Sequence, residues 1–257
     1  MSQQYGQNEN TGEQMTLRPS DQTIVCILGM HRSGTSSLAG SLEERGLFLG
    51  EVVNQAKFNS KGNKENLERM KINDDLLVLN GGRWDSPPRR MVWDDALRRR
   101  RDAHIAKYCD IKAWGFKDPR TLFTLPFWQE TGLDFQFVGT FRHPKAVEKS
   151  LLRRGPNLAP ELPAVTLWKR YNRKLLEILQ ERPFPVVCFD WPTEKYLRGV
   201  DQIANDLGLR ATGDTGAVFF ENALRSSNNA GPLPEIRDPT ALRLYEELLD
   251  QAMIVPE

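Results

Sequence analysis

Two patterns of hydrophobic positions alternate along the chain. The first is a short apolar run of strand length, found at 23–28 (TIVCIL), 113–116, 135–140 (FQFVGT) and 186–190 (VVCFD). Each is too short for a helix and too uniformly apolar for a strand with one wet face, as expected of strands covered on both sides. The second recurs with helical spacing and predicts helices over 35–45, 66–79, 96–108, 122–128, 145–153, 163–181, 194–207 and 239–253. In 66–79 the apolar positions are Leu67, Met70, Leu76 and Leu77, and Gly46 marks the stop of the first helix. Strand and helix in this order predict an α/β fold with parallel pairing, a central parallel sheet of four to five strands flanked by helices in three layers. In such sheets ligands sit at the carboxyl ends of the strands, so attention falls on the residues just after Leu28, Phe116, Thr140 and Asp190.

The segment 81–110 interrupts the plan. It holds Pro87 and Pro88 and reads as a lid or acceptor-side insertion; its arginines (Arg83, Arg89, Arg90 and Arg98 to Arg101) read as a solvated basic face, with His104 exposed among them. Residues 1–22, polar and without the basic and apolar regions of a secretory signal, read as a disordered tail ahead of a single domain over 23–257. No run approaches the roughly 20 apolar residues of a membrane span. The net charge of +1 gives no global attraction to nucleic acid. Cys26, Cys109 and Cys188, odd in number and widely spaced, read as three buried reduced thiols rather than a disulfide or zinc frame, which points to the cytoplasm.

The chemistry concentrates after the first and third strands. The first runs into Gly29-Met30-His31-Arg32-Ser33-Gly34-Thr35-Ser36 and then a helix. Gly29 and Gly34 have the glycine spacing of a phosphate loop, in which successive backbone N–H groups and a helix N-terminus face one anion. Ser33, Thr35 and Ser36 add hydroxyls. A nucleotide triphosphatase would carry Lys at Thr35; here the cation is Arg32, inside the loop. After the third strand, Arg142 and Ser150 stand eight residues apart, which places Ser150 one to two turns into the next helix, facing the strand end where Arg142 emerges. Arginine with serine there suits a second phosphate.

With these residues in hand, the chain resembles the sulfotransferases that use 3′-phosphoadenosine 5′-phosphosulfate (PAPS), in their bacterial form and nearest to the carbohydrate and tyrosylprotein branch. The 27–36 segment is similar to the family's 5′-phosphosulfate loop in an arginine-containing form. Phe141-Arg142-His143-Pro144 through Ser150 is similar to its 3′-phosphate motif, Phe116-Lys117-Asp118-Pro119-Arg120 to its Lys-Asp-Pro strand end, and 59–66 to a segment of bacterial members. The resemblance implies a P-loop-like fold, PAPS as donor, no metal requirement, and a small-molecule, lipid-linked or glycan hydroxyl as acceptor. It implies cofactor contacts from Gly29, Arg32, Ser33, Gly34, Thr35, Ser36, Arg142 and Ser150, with Arg225 as a further 3′-phosphate contact.

Among catalytic residues, Arg32 would brace the leaving phosphate as a charge clamp, because a guanidinium does not readily release a proton. Lys117, at a strand end, would neutralise the transferring sulfuryl group. No histidine neighbours Lys117, so the base is a carboxylate: Glu65, which resembles the family placement, or else Asp118, which could instead orient Lys117 or Arg120. A helix-terminal charge is the plain alternative for Glu65. A pocket formed by Trp84, Trp93 and the arginines would suit a sugar. Two other functions fit the loop: a P-loop kinase or NTPase, with Asp190 directing magnesium, and a nucleotide-binding protein of the same fold without turnover.

Overall fold

The computed structural model describes residues 22–54, 62–153, 155, 159–210 and 233–255. Four strands, β1 (Thr23–Leu28), β2 (Ala113–Lys117), β3 (Phe135–Phe141) and β4 (Val186–Cys188), form one sheet in the order β2-β1-β3-β4. Every pairing is parallel; Ile27 lies opposite Lys117 on one side and Val138 on the other. The helices are α1 (Thr35–Glu44), α2 (Leu67–Leu79), α3 (Asp95–Ala106), α4 (Thr121–Gln129), α5 (Pro144–Leu152), α6 (Ala164–Glu181), α7 (Thr193–Asp206) and α8 (Pro239–Asp250).

Strand geometry sends alternate residues to opposite faces, and both faces are covered. Cys26, Leu28, Phe116 and Phe137 pack into a core built with α2 to α6 and α8. Val25, Ile27, Val138 and Val187 face a second core made with α1 and α7. Both faces being buried explains the near-continuous apolar strands. None of the described helices is long and apolar enough to cross a membrane.

Several expectations need correction. Helix α2 turns a partly polar face inward: Arg69, Ile72, Asn73, Leu76 and Leu77 are buried, whereas Leu67 is 65% exposed. The Arg69 guanidinium lies 3.6 Å from the centre of the Phe116 ring and 4.4 Å from that of Trp128, so aromatic faces stabilise the buried cation. Within segment 81–110, α3 packs directly on α2. Its arginines are largely paired: Arg98 with Asp95 and Glu130, Arg100 with Asp75, and buried Arg101 with Glu130 and the Phe127 carbonyl. Cys26 and Cys188 are buried, but Cys109 is exposed just beyond α3.

His104 is also buried, with Nδ1 2.7 Å from Glu68 Oε2. Burial, reinforced by the Arg69 charge, pushes its pKa down to about 4 despite the Glu68 contact. The unfolded chain takes up this proton near pH 6.5 and the folded chain resists it, so stability falls as pH drops from about 6.5 towards 4. Urea unfolding should show a loss of about 2 kcal/mol from this residue between pH 7 and pH 5. In His104→Gln the pH dependence over that interval should shrink, leaving the part of the same sign that comes from His143, whose pKa burial also lowers; an unchanged slope would remove His104 as a cause.

Candidate functional site

The loop between β1 and α1 owes its shape to three residues with positive φ: Gly29 at 151°, Arg32 at 68° and Gly34 at 88°. At Gly29 a Cβ would strike the Thr140 carbonyl, and at Gly34 the Phe189 ring. The tight course of the chain over β3 and β4 thus requires glycine at both places. The Thr140 hydroxyl donates to the Ser33 carbonyl at 3.1 Å, tying the loop to β3. The first intrahelical bond of α1 runs from Leu38 N–H to the Gly34 carbonyl. The N–H groups of Thr35, Ser36 and Ser37 therefore have no intrahelical acceptor and stand at the positive end of the helix. Ser33 Oγ is buried without a hydrogen-bond partner among the described residues.

The second motif closes on the first. Arg32 Nε donates to Ser150 Oγ at 2.8 Å, and Arg142 Nη1 reaches the Arg32 carbonyl at 3.4 Å. Arg142 is buried across the face of Phe189, its Nε 3.2 Å from Asp190 Oδ1. The other Asp190 oxygen accepts from His143 N–H at 2.7 Å. Asp190 is thus occupied by the β3–α5 turn. The His143 ring caps α5 by accepting from Lys145 N–H, and burial lowers its pKa, which favours the neutral ring that this bond needs.

Beside the loop lies a cleft of about 250 Å³. Its walls include Arg32, Thr35, Ser36, Glu65, Lys117 and Arg120, together with His31, Trp84 and Asp85. Lys117 emerges at the carboxyl end of β2, 3% exposed, and its Nζ donates to Glu65 Oε1 at 2.5 Å. Glu65 Oε2 lies 3.8 Å from Arg120 Nη1. Asp118 points elsewhere: Oδ1 accepts from Arg120 N–H and Nη1, and Oδ2 from Asn73 Nδ2 at 2.8 Å. Both its oxygens are occupied and it is 1% exposed, so it orients Arg120 and does not face the cleft. Burial alone would lower the Arg120 pKa, but Asp118, Glu65 and Asp74 outweigh it and hold the guanidinium firmly charged.

Glu65 is itself held by a clamp that the sequence did not reveal. Val53 N–H donates to the Glu65 carbonyl, and Lys64 N–H to the Val53 carbonyl. Lys64 adopts φ 54°, uncommon outside glycine, and its buried ammonium lies 2.7 Å from both Glu43 Oε2 and Asn54 Oδ1. Asn66 then caps α2 through Arg69 N–H. A lysine gives no sequence signal for a left-handed backbone. Arg120 was legible only as part of its motif, not as a wall of the cleft.

The expected residues fall into three groups. Gly29, Arg32, Ser33, Gly34, Thr35, Ser36, Arg142 and Ser150 form one contiguous loop site, and Glu65 and Lys117 meet in the adjoining cleft. Arg225 and residues 59–61 lie outside the described residues. Trp84 and Trp93 do not share a pocket: Trp84 lines the cleft and Trp93 a separate groove.

No sequence-family model and no curated protein matches the chain. Solved structures do. The sulfotransferase domain of the Synechococcus PCC 7002 olefin synthase superposes with a TM-score of 0.53 at 17% identity, covering 92% of this chain and 97% of that one. The sulfotransferase domain of the curacin biosynthetic pathway gives 0.52 at 16% identity, covering 91% and 99%. The parallel four-stranded sheet and its helical layers are therefore the fold of these sulfotransferase domains.

Proposed function

We propose that the chain is a sulfotransferase that moves a sulfuryl group from PAPS to a hydroxyl of a small-molecule or glycan acceptor. The observation that carries this reading is the convergence of two anion-binding motifs, Arg32 with the α1 N-terminus and Arg142 with Ser150, beside a cleft holding Lys117 and Glu65. One anion site with a P-loop glycine pattern would suit many nucleotides. Two sites in contact, with no lysine at Thr35 to hold β- and γ-phosphates, suit a nucleotide phosphorylated at both 5′ and 3′ positions. The kinase reading loses support further because Asp190, its magnesium candidate, is engaged by Arg142 and His143 N–H.

In this mechanism Thr35, Ser36 and the loop N–H groups bind the 5′-phosphosulfate, Arg32 neutralises the phosphate that departs, and Arg142 and Ser150 hold the 3′-phosphate. The acceptor oxygen attacks sulfur in line. Its new S–O bond forms as the bond from sulfur to the 5′-phosphate oxygen breaks, and the acceptor proton passes to Glu65. The products are the sulfate ester and adenosine 3′,5′-bisphosphate. The protein's part is positioning and electrostatic stabilisation. Lys117 can exchange its bond to Glu65 for one to the sulfuryl oxygens, which leaves Glu65 free to accept the proton.

Binding tests the donor assignment directly. Adenosine 3′,5′-bisphosphate at 100 times its Kd should stabilise the fold by about 2.7 kcal/mol, seen as a rise in Tm, whereas ATP with magnesium at the same concentration should shift it little. Equal shifts would favour the NTPase reading. Arg142→Ala should weaken calorimetric affinity for the bisphosphate by about 1.5–3 kcal/mol, the worth of a charged hydrogen bond. Unchanged affinity would refute the 3′-phosphate assignment. Transfer of labelled sulfate from PAPS to a panel of hydroxyl acceptors then tests turnover.

A further inference from the structure

A second groove has a volume of about 540 Å³. One wall is apolar: Trp93, Phe123 and Met91, with Pro88 and Pro126. The other is the outward face of α6, where Arg170, Arg173, Lys174 and Glu177 recur with helical spacing, and Arg89 faces them from the 83–93 segment. The charge is lopsided. Lys174 and Glu177 pair with each other at 3.3 Å. Arg89, Arg170 and Arg173 have no carboxylate partner among the described residues, unlike the paired arginines of α3. Three uncompensated guanidinium groups along an aromatic wall are suited to an oxyanion attached to an apolar body, since their planar forks match carboxylate or phosphate geometry.

Packed side chains stand between the groove and the cleft. The edge of Phe123 meets Tyr171 with ring centres 4.8 Å apart, Tyr171 Oη donates to the Trp84 carbonyl at 2.6 Å, and Trp84 packs on His31 at 4.9 Å. The same 83–93 segment lines the cleft with Arg83, Trp84 and Asp85 and the groove with Pro88, Arg89, Met91 and Trp93. We propose that this groove is the distal part of the acceptor site and selects an acceptor bearing a carboxylate or phosphate on an apolar body, which lies along the 83–93 segment that lines both sites and brings its hydroxyl to the cleft. The acceptor half of this inference rests on the sulfuryl-transfer reading; the anion site does not.

Calorimetry on the full chain, with 2-naphthoate and its neutral amide as probes, separates the two. Naphthoate should bind at least tenfold more tightly than the amide at low salt. An Arg170→Gln/Arg173→Gln variant, altered only on the helix surface, should abolish that preference, and Arg32→Ala should keep it. No charge preference in the wild type, or a preference lost in Arg32→Ala and kept in the double variant, would overturn the anion site. This arm needs no turnover, so it stands or falls apart from the PAPS assignment. With PAPS present, naphthalene alcohols with and without a carboxylate test the acceptor link. The double variant should raise KM at least tenfold for the acidic alcohol alone, with kcat unchanged. An identical KM in wild type and variant would overturn the groove as an acceptor subsite, and phosphate and carboxylate analogues compared side by side identify the preferred oxyanion.

Discussion

Lys117→Met should lower turnover by about 10²–10³-fold, the cost of removing one preorganised charge from a site where negative charge shifts during reaction. Affinity for adenosine 3′,5′-bisphosphate should stay within a few-fold of wild type, because the 3′-phosphate and loop contacts are made by other residues. The same substitution has a structural consequence that must be separated from the catalytic one. Lys117 and Glu65 are a buried ion pair, and removing one partner of such a pair costs about 3–5 kcal/mol through the charge left behind. Arg120, 3.8 Å from Glu65, should reduce that cost. Adding Glu65→Gln to Lys117→Met should therefore restore stability in urea unfolding without restoring turnover. If the double variant recovered activity together with stability, Lys117 and Glu65 would both be structural residues and both catalytic assignments would fall.

The layered fold was legible because the four apolar runs are buried on both faces, a pattern that tertiary contacts do not disturb. The loop site was legible for a different reason. Gly29 and Gly34 are demanded by backbone clashes, and the step from Arg142 to Ser150 is set by helix geometry, so local spacing carries the information. What escaped the sequence is the burial of polar residues by partners remote in the chain. Asn73 looks like an exposed helix residue, yet it donates to Asp118 and accepts from Thr124 and Trp128. That node, assembled from two helices and a strand end, is why α2 turns Arg69 and Asn73 inward and why Asp118 became an orienting residue. His104 was read as exposed from its arginine neighbours, whereas the surface it meets belongs to α2, with Glu68 in contact and Arg69 close enough to shift its titration. Periodicity records which residues share a face, not which polar face finds partners.

Glu65→Gln should reduce turnover by about 10²–10⁴-fold, the usual worth of a positioned general base. Position is the argument: Glu65 is the carboxylate that meets Lys117 in the cleft wall, beside the anion loop, and its backbone is fixed by Val53 on one side and by the Lys64 anchor on the other. A glutamine keeps the shape and can still accept from Lys117, so cofactor affinity should remain near wild type while the ability to take a proton is lost. Asp118→Asn supplies the contrast. Its oxygens serve Arg120 and Asn73, so the change should lower stability by about 1–3 kcal/mol, as expected when buried donors lose a charged acceptor, with a smaller loss of rate. His31→Asn is the second control, since His31 also lines the cleft, against Trp84 and Tyr171. Circular dichroism confirms folding in each case. If Glu65→Gln keeps most of its turnover while His31→Asn loses it, the proton goes to the imidazole and Glu65 serves to hold Lys117. If Asp118→Asn shows the larger loss of rate at unchanged stability, the orienting role assigned to Asp118 is wrong and the base is the carboxylate behind Arg120.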